Sequence, residues 1–142
     1  MKISARNLFS GKIAAIRNGA VNAEVELLTD GGDRIVAIVT EGSVESLGLA
    51  VGKEAVAVVK APWVMVLAGG GNLRFSARNQ LPGTVKAVTK GAVNADVVIE
   101  LPGGSLIHAV ITNEAVMDLG LKEGAPATAL IKASHVVLGV PA

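Results

Sequence analysis

Side chains that donate hydrogen bonds recur in this sequence 72 positions apart, as Ser4 recurs at Ser76. The recurring donors are Ser4, Arg6, Thr40 and Lys60 in the first half and Ser76, Arg78, Thr112 and Lys132 in the second, and Ser43 lies close to Thr40. A tetrahedral oxyanion offers negative charge and acceptors only, so its site needs a guanidinium or ammonium group, hydroxyls and free backbone N–H groups. The repeated set supplies these groups and indicates an oxyanion-binding site.

The same residues also have an ordinary structural explanation. Ser4 and Arg6 fit the outward face of a strand, Thr40 fits a helix cap, and Lys60 fits a solvated strand end. The repetition would then reflect only the shared ancestry of two copies of one fold. On the pattern alone both interpretations stay open.

A second repeated stretch, Gly-Ala-Val-Asn-Ala, occupies residues 19–23 and 91–95. Such a stretch after a turn is typical of a hairpin, although its backbone amides can also line an anion site. It therefore gives a weaker prediction of a second anion site at Val21, Asn22, Val93 and Asn94.

Patterns typical of catalysis and of metal ligation are missing. The two histidines, His108 and His135, align with Val36 and Trp63 of the other half, and the chain has no cysteine. No nucleophile elbow, phosphate loop or dinucleotide fingerprint surrounds the serines. We therefore expect neither an enzyme nor a cofactor nor a directly ligated metal.

Composition restricts the partners. The 142 residues are 51% hydrophobic, and 13 basic against 12 acidic residues give a net charge of +1, which leaves no electrostatic footprint for nucleic acid or an anionic membrane. One Trp, two Phe and no Tyr are too few aromatics for stacking single-stranded bases. The start lacks a signal-peptide pattern, and the longest uncharged apolar run, 62–68, is too short to span a bilayer. We expect a cytoplasmic protein, and the apolar surplus of such small halves favours a homo-oligomer.

Each half predicts five strands and one short helix. In the first half the strands are 2–7, 11–16, 21–28, 34–39 and 54–60, an apolar extension covers 63–67, and a helix capped by Thr40 ends at Gly48. Alternation over 2–7 would place Ser4 and Arg6 on one face. The predicted fold is mainly β, with two tandem OB-fold-like five-stranded barrels, each with one short helix: a first barrel at 1–68, a glycine linker at 69–72 and a second barrel at 73–142.

Four motifs recur in the same order in both halves: Ser-Ala-Arg-Asn, Gly-Ala-Val-Asn-Ala, a Thr followed by a helix ending in Leu-Gly-Leu, and Lys-Ala before an apolar tail. Together they resemble the Mop, or molbindin, family in its tandem form. The resemblance implies OB-like barrels that assemble as six units, here a homotrimer of tandem chains, with molybdate or tungstate held between barrels. It also implies intracellular molybdenum storage or homeostasis, because a transcription regulator or a transport ATPase would need a further domain for which we expect no room. The alternative is an accessory oligomerisation or regulatory module.

The resemblance assigns oxyanion contacts by position. These fall on Ser4, Arg6, Thr40, Ser43, Lys60 and Ala61 in the first half, and on Ser76, Arg78, Thr112, Lys132, Ala133 and Ser134 in the second. The second half has Ala115 in place of Ser43, and the first half has Pro62 in place of Ser134. Since these losses are complementary, we hypothesise that the helix-start donors of one unit meet the strand donors of the other.

Overall fold

A computed structural model describes residues 2–69 and 72–142. The first unit contains β1 (Asn7–Asn18), β2 (Asn22–Thr29), β3 (Arg34–Thr40), α1 (Glu41–Leu47), β4 (Glu54–Val59) and β5 (Met65–Ala68). The second contains β6 (Asn79–Lys90), β7 (Asn94–Glu100), β8 (Leu106–Thr112), α2 (Asn113–Leu119), β9 (Pro126–Ile131) and β10 (Val137–Gly139). A 3₁₀ turn precedes the last strand of each unit, at Ala61–Trp63 and Ala133–His135. The predicted fold class, two five-stranded units that are mainly β with one short helix each, is confirmed.

The last strands of the two units are exchanged. One sheet has the order β10-β4-β1-β2-β3 and the other β5-β9-β6-β7-β8, so each takes its edge strand from the other unit. Val137–Gly139 pairs antiparallel with β4, and Met65–Ala68 pairs antiparallel with β9. The predicted ranges 1–68 and 73–142 therefore follow the sequence repeat, whereas each sheet draws on both ranges. The predicted linker includes Gly70 and Gly71, which lie outside the described residues.

The predicted strand at 2–7 is wrong. The first strand begins at Asn7, where β1 starts to pair with Val59 of β4, and the prediction at 11–16 is the middle of this single long strand. Residues 2–6 have no ladder partner in the structure, and most of them are exposed. Ser4 and Arg6 therefore share no strand face. The apolar extension at 63–67 is instead a 3₁₀ turn followed by β5.

The predicted helix signals are confirmed. The Thr40 hydroxyl accepts a hydrogen bond from the Ser43 N–H at 3.0 Å, and Gly48 ends α1 in the left-handed conformation with φ of 62°. Thr112 and Gly120 do the same for α2. Each helix thus begins directly where β3 or β8 ends, and this fixes the position of the threonine at the strand end.

The two units share one hydrophobic core. Buried side chains of both units, among them Ile13, Leu27 and Ile35 in the first and Ile99 and Ile107 in the second, belong to a single cluster. Leu138 of the exchanged β10 belongs to it too. The units are therefore halves of one folded body.

Two buried asparagines join the units at their centre. The Asn7 amide donates to the His108 carbonyl at 2.8 Å and accepts from the His108 N–H at 2.7 Å. Asn79 makes the equivalent pair of bonds with the backbone of Val36, at 2.8 and 2.7 Å. Each side chain thus extends the other unit's edge strand as a further strand would, and this satisfies an edge that would otherwise stay unpaired.

The hairpin turns after β2 and β7 also meet. Asp33 accepts hydrogen bonds from the N–H groups of Gly103 and Ser105, at 3.0 and 3.3 Å. A Cβ on Gly31 would lie 2.0 Å from the Gly103 carbonyl oxygen, so the close approach of the two turns requires glycine there. No helix in the described part of the chain is long and apolar enough to cross a membrane.

Candidate functional site

Five of the predicted oxyanion residues of the second unit line one cavity of about 280 Å³. They are Ser76, Arg78, Lys132, Ala133 and Ser134. The segment before β6 supplies the first two, and the start of the second 3₁₀ turn supplies the others. The first residues of a helical turn carry N–H groups that have no partner within the turn. The residues that line the cavity therefore include a guanidinium, an ammonium and two hydroxyls beside several apolar side chains, and the turn adds backbone donors. These are the donor types that an oxyanion needs.

The first unit supplies a wall of the same region. Ile38 of β3 lines this cavity and also an adjoining one of about 340 Å³, as does Ser134. The adjoining cavity is lined by Thr40 and Ser43, whose hydroxyl oxygens are 2.9 Å apart. The structure thus brings the helix-start hydroxyls of the first unit next to Ser134 of the second. This is the juxtaposition on which the hypothesis of composite sites depends.

The packing of the 3₁₀ turns explains this juxtaposition. The second 3₁₀ turn packs against β3, and the first packs against β8 in the same way. Since β3 ends at Thr40 and β8 ends at Thr112, each 3₁₀ turn lies against the strand that leads to the opposite helix start.

The other half of the predicted set is less well gathered. Arg6 lines a separate cleft of about 470 Å³ together with His108, and the lining of that cleft includes neither Ser4 nor Lys60 nor Thr112. Ala61 is buried at the start of the first 3₁₀ turn, and Pro62 follows it with no N–H to offer. Lys60 Nζ lies 6.0 Å from the centre of the Trp63 ring. Within one chain, the donors therefore converge around the second unit's strand residues.

The weaker second anion site is only partly assembled. Asn22 lines the cavity of Thr40 and Ser43, so it lies beside the first predicted site and does not form a separate one. The carbonyls of Val21 and Val93 accept hydrogen bonds from the first N–H of α1 and α2, at 2.9 and 2.8 Å. Asn94 opens β7, as Asn22 opens β2.

Arg6 and Arg78, the two arginines of the predicted oxyanion sites, form ion pairs that the repeat pattern did not predict. Arg6 Nη1 lies 3.2 Å from Asp96 Oδ1, and Arg78 Nη1 lies 2.6 Å from Glu24 Oε1. Asp96 and Glu24 occupy equivalent positions on β7 and β2, so each pair joins one unit to the other. The signal was present in the sequence, since an acid follows Gly-Ala-Val-Asn-Ala in both halves.

The histidines differ in their surroundings. His108 Nδ1 lies 3.1 Å from Asp96 Oδ2. In the first unit the residue equivalent to His108 is Val36, which lies near the ion pair of Glu24 and Arg78. His135 stacks against Trp63 with ring centres 4.8 Å apart. Among the described residues, no cluster of three or more His, Cys, Asp or Glu side chains could hold a metal ion.

Comparison with known proteins agrees with the repeat. The TOBE domain model matches residues 3–66 and again residues 76–138. The crystal structure of the cytoplasmic molybdate-binding protein ModG with molybdate bound is 58% identical in sequence, covers 99% of this chain and 100% of the ModG chain, and superimposes with a TM-score of 0.94.

Two curated relatives extend the comparison. The molybdenum-pterin-binding protein MopA of Rhodobacter capsulatus is 46% identical over 141 residues, and the molybdenum transport protein ModE of Azotobacter vinelandii is 42% identical over 140. The matches cover 99% of this chain but 53% and 52% of those proteins, so the chain spans about half the length of the curated relatives it matches. With two matches that together span most of its length, the chain belongs to the TOBE domain family, as a tandem of two molbindin-type units.

Proposed function

We propose that this protein binds molybdate, and tungstate in the same way, and serves intracellular molybdenum storage or homeostasis in the cytoplasm. The observation that carries the proposal is the cavity lined by Ser76, Arg78, Lys132 and Ser134, because every one of these side chains donates hydrogen bonds and two are cationic. The 58% identity to a molybdate-binding protein over the whole chain supports the choice of anion.

The mechanism is reversible capture. Molybdate at neutral pH is a small dianion with a strong hydration shell, and donors gathered around one cavity replace that shell. Arg78 and Lys132 supply the charge, the hydroxyls of Ser76 and Ser134 supply direction, and the N–H groups at the start of the second 3₁₀ turn complete the shell. We propose no catalytic step, because capture and release need none.

If each site is built from both units, the hydroxyls at the helix starts also bind the anion. Thr40 and Ser43 lie beside Ser134, and we propose that they bind the anion from the opposite side. Contact with further copies of the chain would complete the sites of the remaining predicted residues, which are Ser4, Arg6, Lys60, Ala61 and Thr112. We propose a homotrimer of tandem chains for this reason. Anion binding at such contacts stabilises the assembly by linkage.

A second candidate function is an accessory oligomerisation or regulatory module. It is favoured by the regulators among the relatives, such as the DNA-binding transcriptional dual regulator ModE of Escherichia coli, which is 35% identical over 140 residues, although this chain covers only 52% of its length. In that case the repeated donors would stabilise the assembly without storing an anion.

Native mass spectrometry after exchange into molybdate, tungstate, sulfate or phosphate in turn distinguishes the two functions. We expect a trimer that carries several molybdate or tungstate ions and neither of the smaller anions. An assembly that holds none of the four anions would reject storage and favour the accessory module. The Arg78→Ala variant should keep the trimer and lose only the anions bound at the sites that use Arg78.

A further inference from the structure

We propose that Asp96 and Glu24 are internal counter-ions that hold the site arginines while no oxyanion is bound, and that His108 weakens this hold on Arg6 alone. The inference rests on the proposed function, since it concerns how the same arginines are released to the anion. It makes two classes of site, those that use Arg6 and those that use Arg78, unequal in their response to pH.

The position of Arg78 is the first argument. Its side chain lines the 280 Å³ cavity together with Ser76 and Lys132, and it also lines a cleft of about 390 Å³, whose other charged residues are Arg17, Glu24 and Glu26. The guanidinium therefore lies between the oxyanion donors and a carboxylate. Its side chain is 53% exposed and Glu24 is only 18% exposed, so the arginine is the partner that is free to reorient. An entering dianion must compete with Glu24 for it.

Arg6 and Asp96 repeat this arrangement, with one addition. Arg6 is 60% exposed, Asp96 is 19% exposed, and their charged atoms are 3.2 Å apart. The addition is His108, whose ring nitrogen lies 3.1 Å from the second oxygen of the same carboxylate. Asp96 thus has an arginine and a histidine as neighbours. Glu24 has Val36 in place of the histidine, and its second neighbour is Arg17, whose Nη1 lies 3.9 Å from Glu24 Oε2 and whose charge is permanent.

The other charged groups around His108 do not duplicate this effect. On the neighbouring β7, Val98 pairs with His108, and Glu100 is the next residue on the same face of the strand as Val98. Glu100 forms an ion pair with Lys86 at 3.5 Å. Asp30, from the turn after β2, lines the cleft that Arg6 and His108 share. Asp96 is the carboxylate in direct contact with the imidazole.

These charges determine whether oxyanion affinity rises or falls with pH. Histidine is the ordinary side chain whose charge changes between about pH 5 and pH 8. A protonated His108 offsets the charge of Asp96, which then attracts Arg6 less, so Arg6 is released and the oxyanion binds more tightly as pH falls. A neutral imidazole leaves Asp96 fully available to Arg6, and binding weakens. A site that depends on Arg78 and Glu24 should not change, because the second cation beside Glu24 is Arg17, which stays charged throughout.

The experiment separates the two classes of site by removing one arginine at a time. In Arg78→Ala only Arg6 remains, and in Arg6→Ala only Arg78 remains. Equilibrium dialysis with micromolar molybdate, where the anion stays monomeric, gives the affinity at about pH 6 and about pH 8. We expect Arg78→Ala to bind roughly three- to tenfold more tightly at the lower pH. Arg6→Ala should change less than about twofold, which also accounts for any effect of pH on the anion itself.

The matched variants exchange His108 and Val36, which occupy equivalent positions in the two halves. His108→Val in the Arg78→Ala protein should abolish the pH response, and Val36→His in the Arg6→Ala protein should create one. Asp96→Asn should abolish the response as well and raise the affinity at pH 8 to the level seen at pH 6. A merely structural role for Asp96 or His108 would lower affinity equally at both pH values.

Two outcomes would overturn the inference in distinguishable ways. If the wild-type chain binds molybdate and its pH profile is the same in His108→Val, the inference is wrong and the proposed function stands. If the wild-type chain binds no molybdate at either pH, the proposed function fails and the inference fails with it. Where a single-arginine variant binds too weakly to measure, the comparison of wild type with His108→Val decides the question.

Discussion

The complementary losses of Ser43 and Ser134 between the two units are the sharpest feature at the scale of single residues. Ser43 corresponds to Ala115, and Ser134 corresponds to Pro62. The structure places both serines around one cavity, although they come from different units. The two hydroxyls that survive, one from each unit, therefore lie at the same cavity.

The first prediction concerns these two serines. Because they line the same cavity, Ser43→Ala and Ser134→Ala should each weaken the same class of molybdate site, by about 1.5 kcal/mol or more, roughly tenfold in affinity, for a lost hydrogen bond to a charged group. Isothermal titration that resolves two classes of site measures this. In the double variant, the two losses of binding free energy should not add, because both serines serve one site.

Ser46→Ala is the matched control for that prediction. Ser46 lies on the same helix and is exposed, and it donates only to the Ser43 carbonyl at a long 3.5 Å. Its removal should leave both classes of site unchanged. Loss of different classes of site in Ser43→Ala and Ser134→Ala would contradict the composite arrangement.

At this scale the sequence predicted the donor residues, but it predicted neither the carboxylates that pair with the arginines nor the backbone contacts of the two buried asparagines. Ser76, Arg78 and Lys132 follow from a repeat of polar residue types, which a sequence displays directly. Asn7 and Asn79 repeat equally clearly, yet their function depends on the backbone of His108 and Val36, which are 101 and 43 residues away. A bond to a main-chain group leaves no trace in the identity of the partner residue, so this contact required the structure.

The exchange of β5 and β10 is the main result at the scale of elements. A sequence pattern predicts that an apolar run forms a strand, but not which sheet receives it. The first 3₁₀ turn, at Ala61–Trp63, directs the chain away from β4 and delivers β5 to β9 of the other unit. The helices were predictable to the residue, because threonine caps and glycine ends are local signals. The strand at 2–7 was wrong, because alternation alone does not reveal that a segment lacks a neighbouring strand.

The second prediction tests the exchanged strand. Leu138 of β10 is 7% exposed and packs into the shared core, so Leu138→Ala should lower the free energy of unfolding by about 2–3 kcal/mol. Since the exchange joins both units, we expect one cooperative transition for the variant as for the wild type. Urea unfolding followed by circular dichroism measures both quantities.

A surface valine provides the control for Leu138. Val51, in the turn after α1, is exposed, and Val51→Ala should change the free energy of unfolding by less than about 0.5 kcal/mol. Two separate transitions in Leu138→Ala, with only one unit destabilised, would mean that the units fold independently.

The exposed apolar residues are most informative at the scale of the whole molecule, because the repeat divides them into two groups. In one group both halves expose an apolar side chain at the same position: Ile3 with Phe75, Val21 with Val93, and Met65 with Val137. In the other group only one half does, since Val51 corresponds to Glu123 and Met117 to Glu45. Solvation alone gives no reason to keep an exposed valine twice, whereas contact with further copies of the chain does.

The third prediction follows from this division. Val21 and Val93 are 73% and 70% exposed and lie next to the helix starts that carry Thr40 and Thr112, so a charge there should disrupt both assembly and sites. We expect Val21→Asp combined with Val93→Asp to lower the mass measured by light scattering from trimer to monomer and to weaken molybdate binding at least tenfold, with an unchanged circular dichroism spectrum. Val51→Asp is the matched control, because the second unit already carries a glutamate at that position. It should remain trimeric with full binding. A monomeric double variant that still binds molybdate with wild-type affinity would show that the sites are complete within one chain, and the reason for proposing a trimer would be lost.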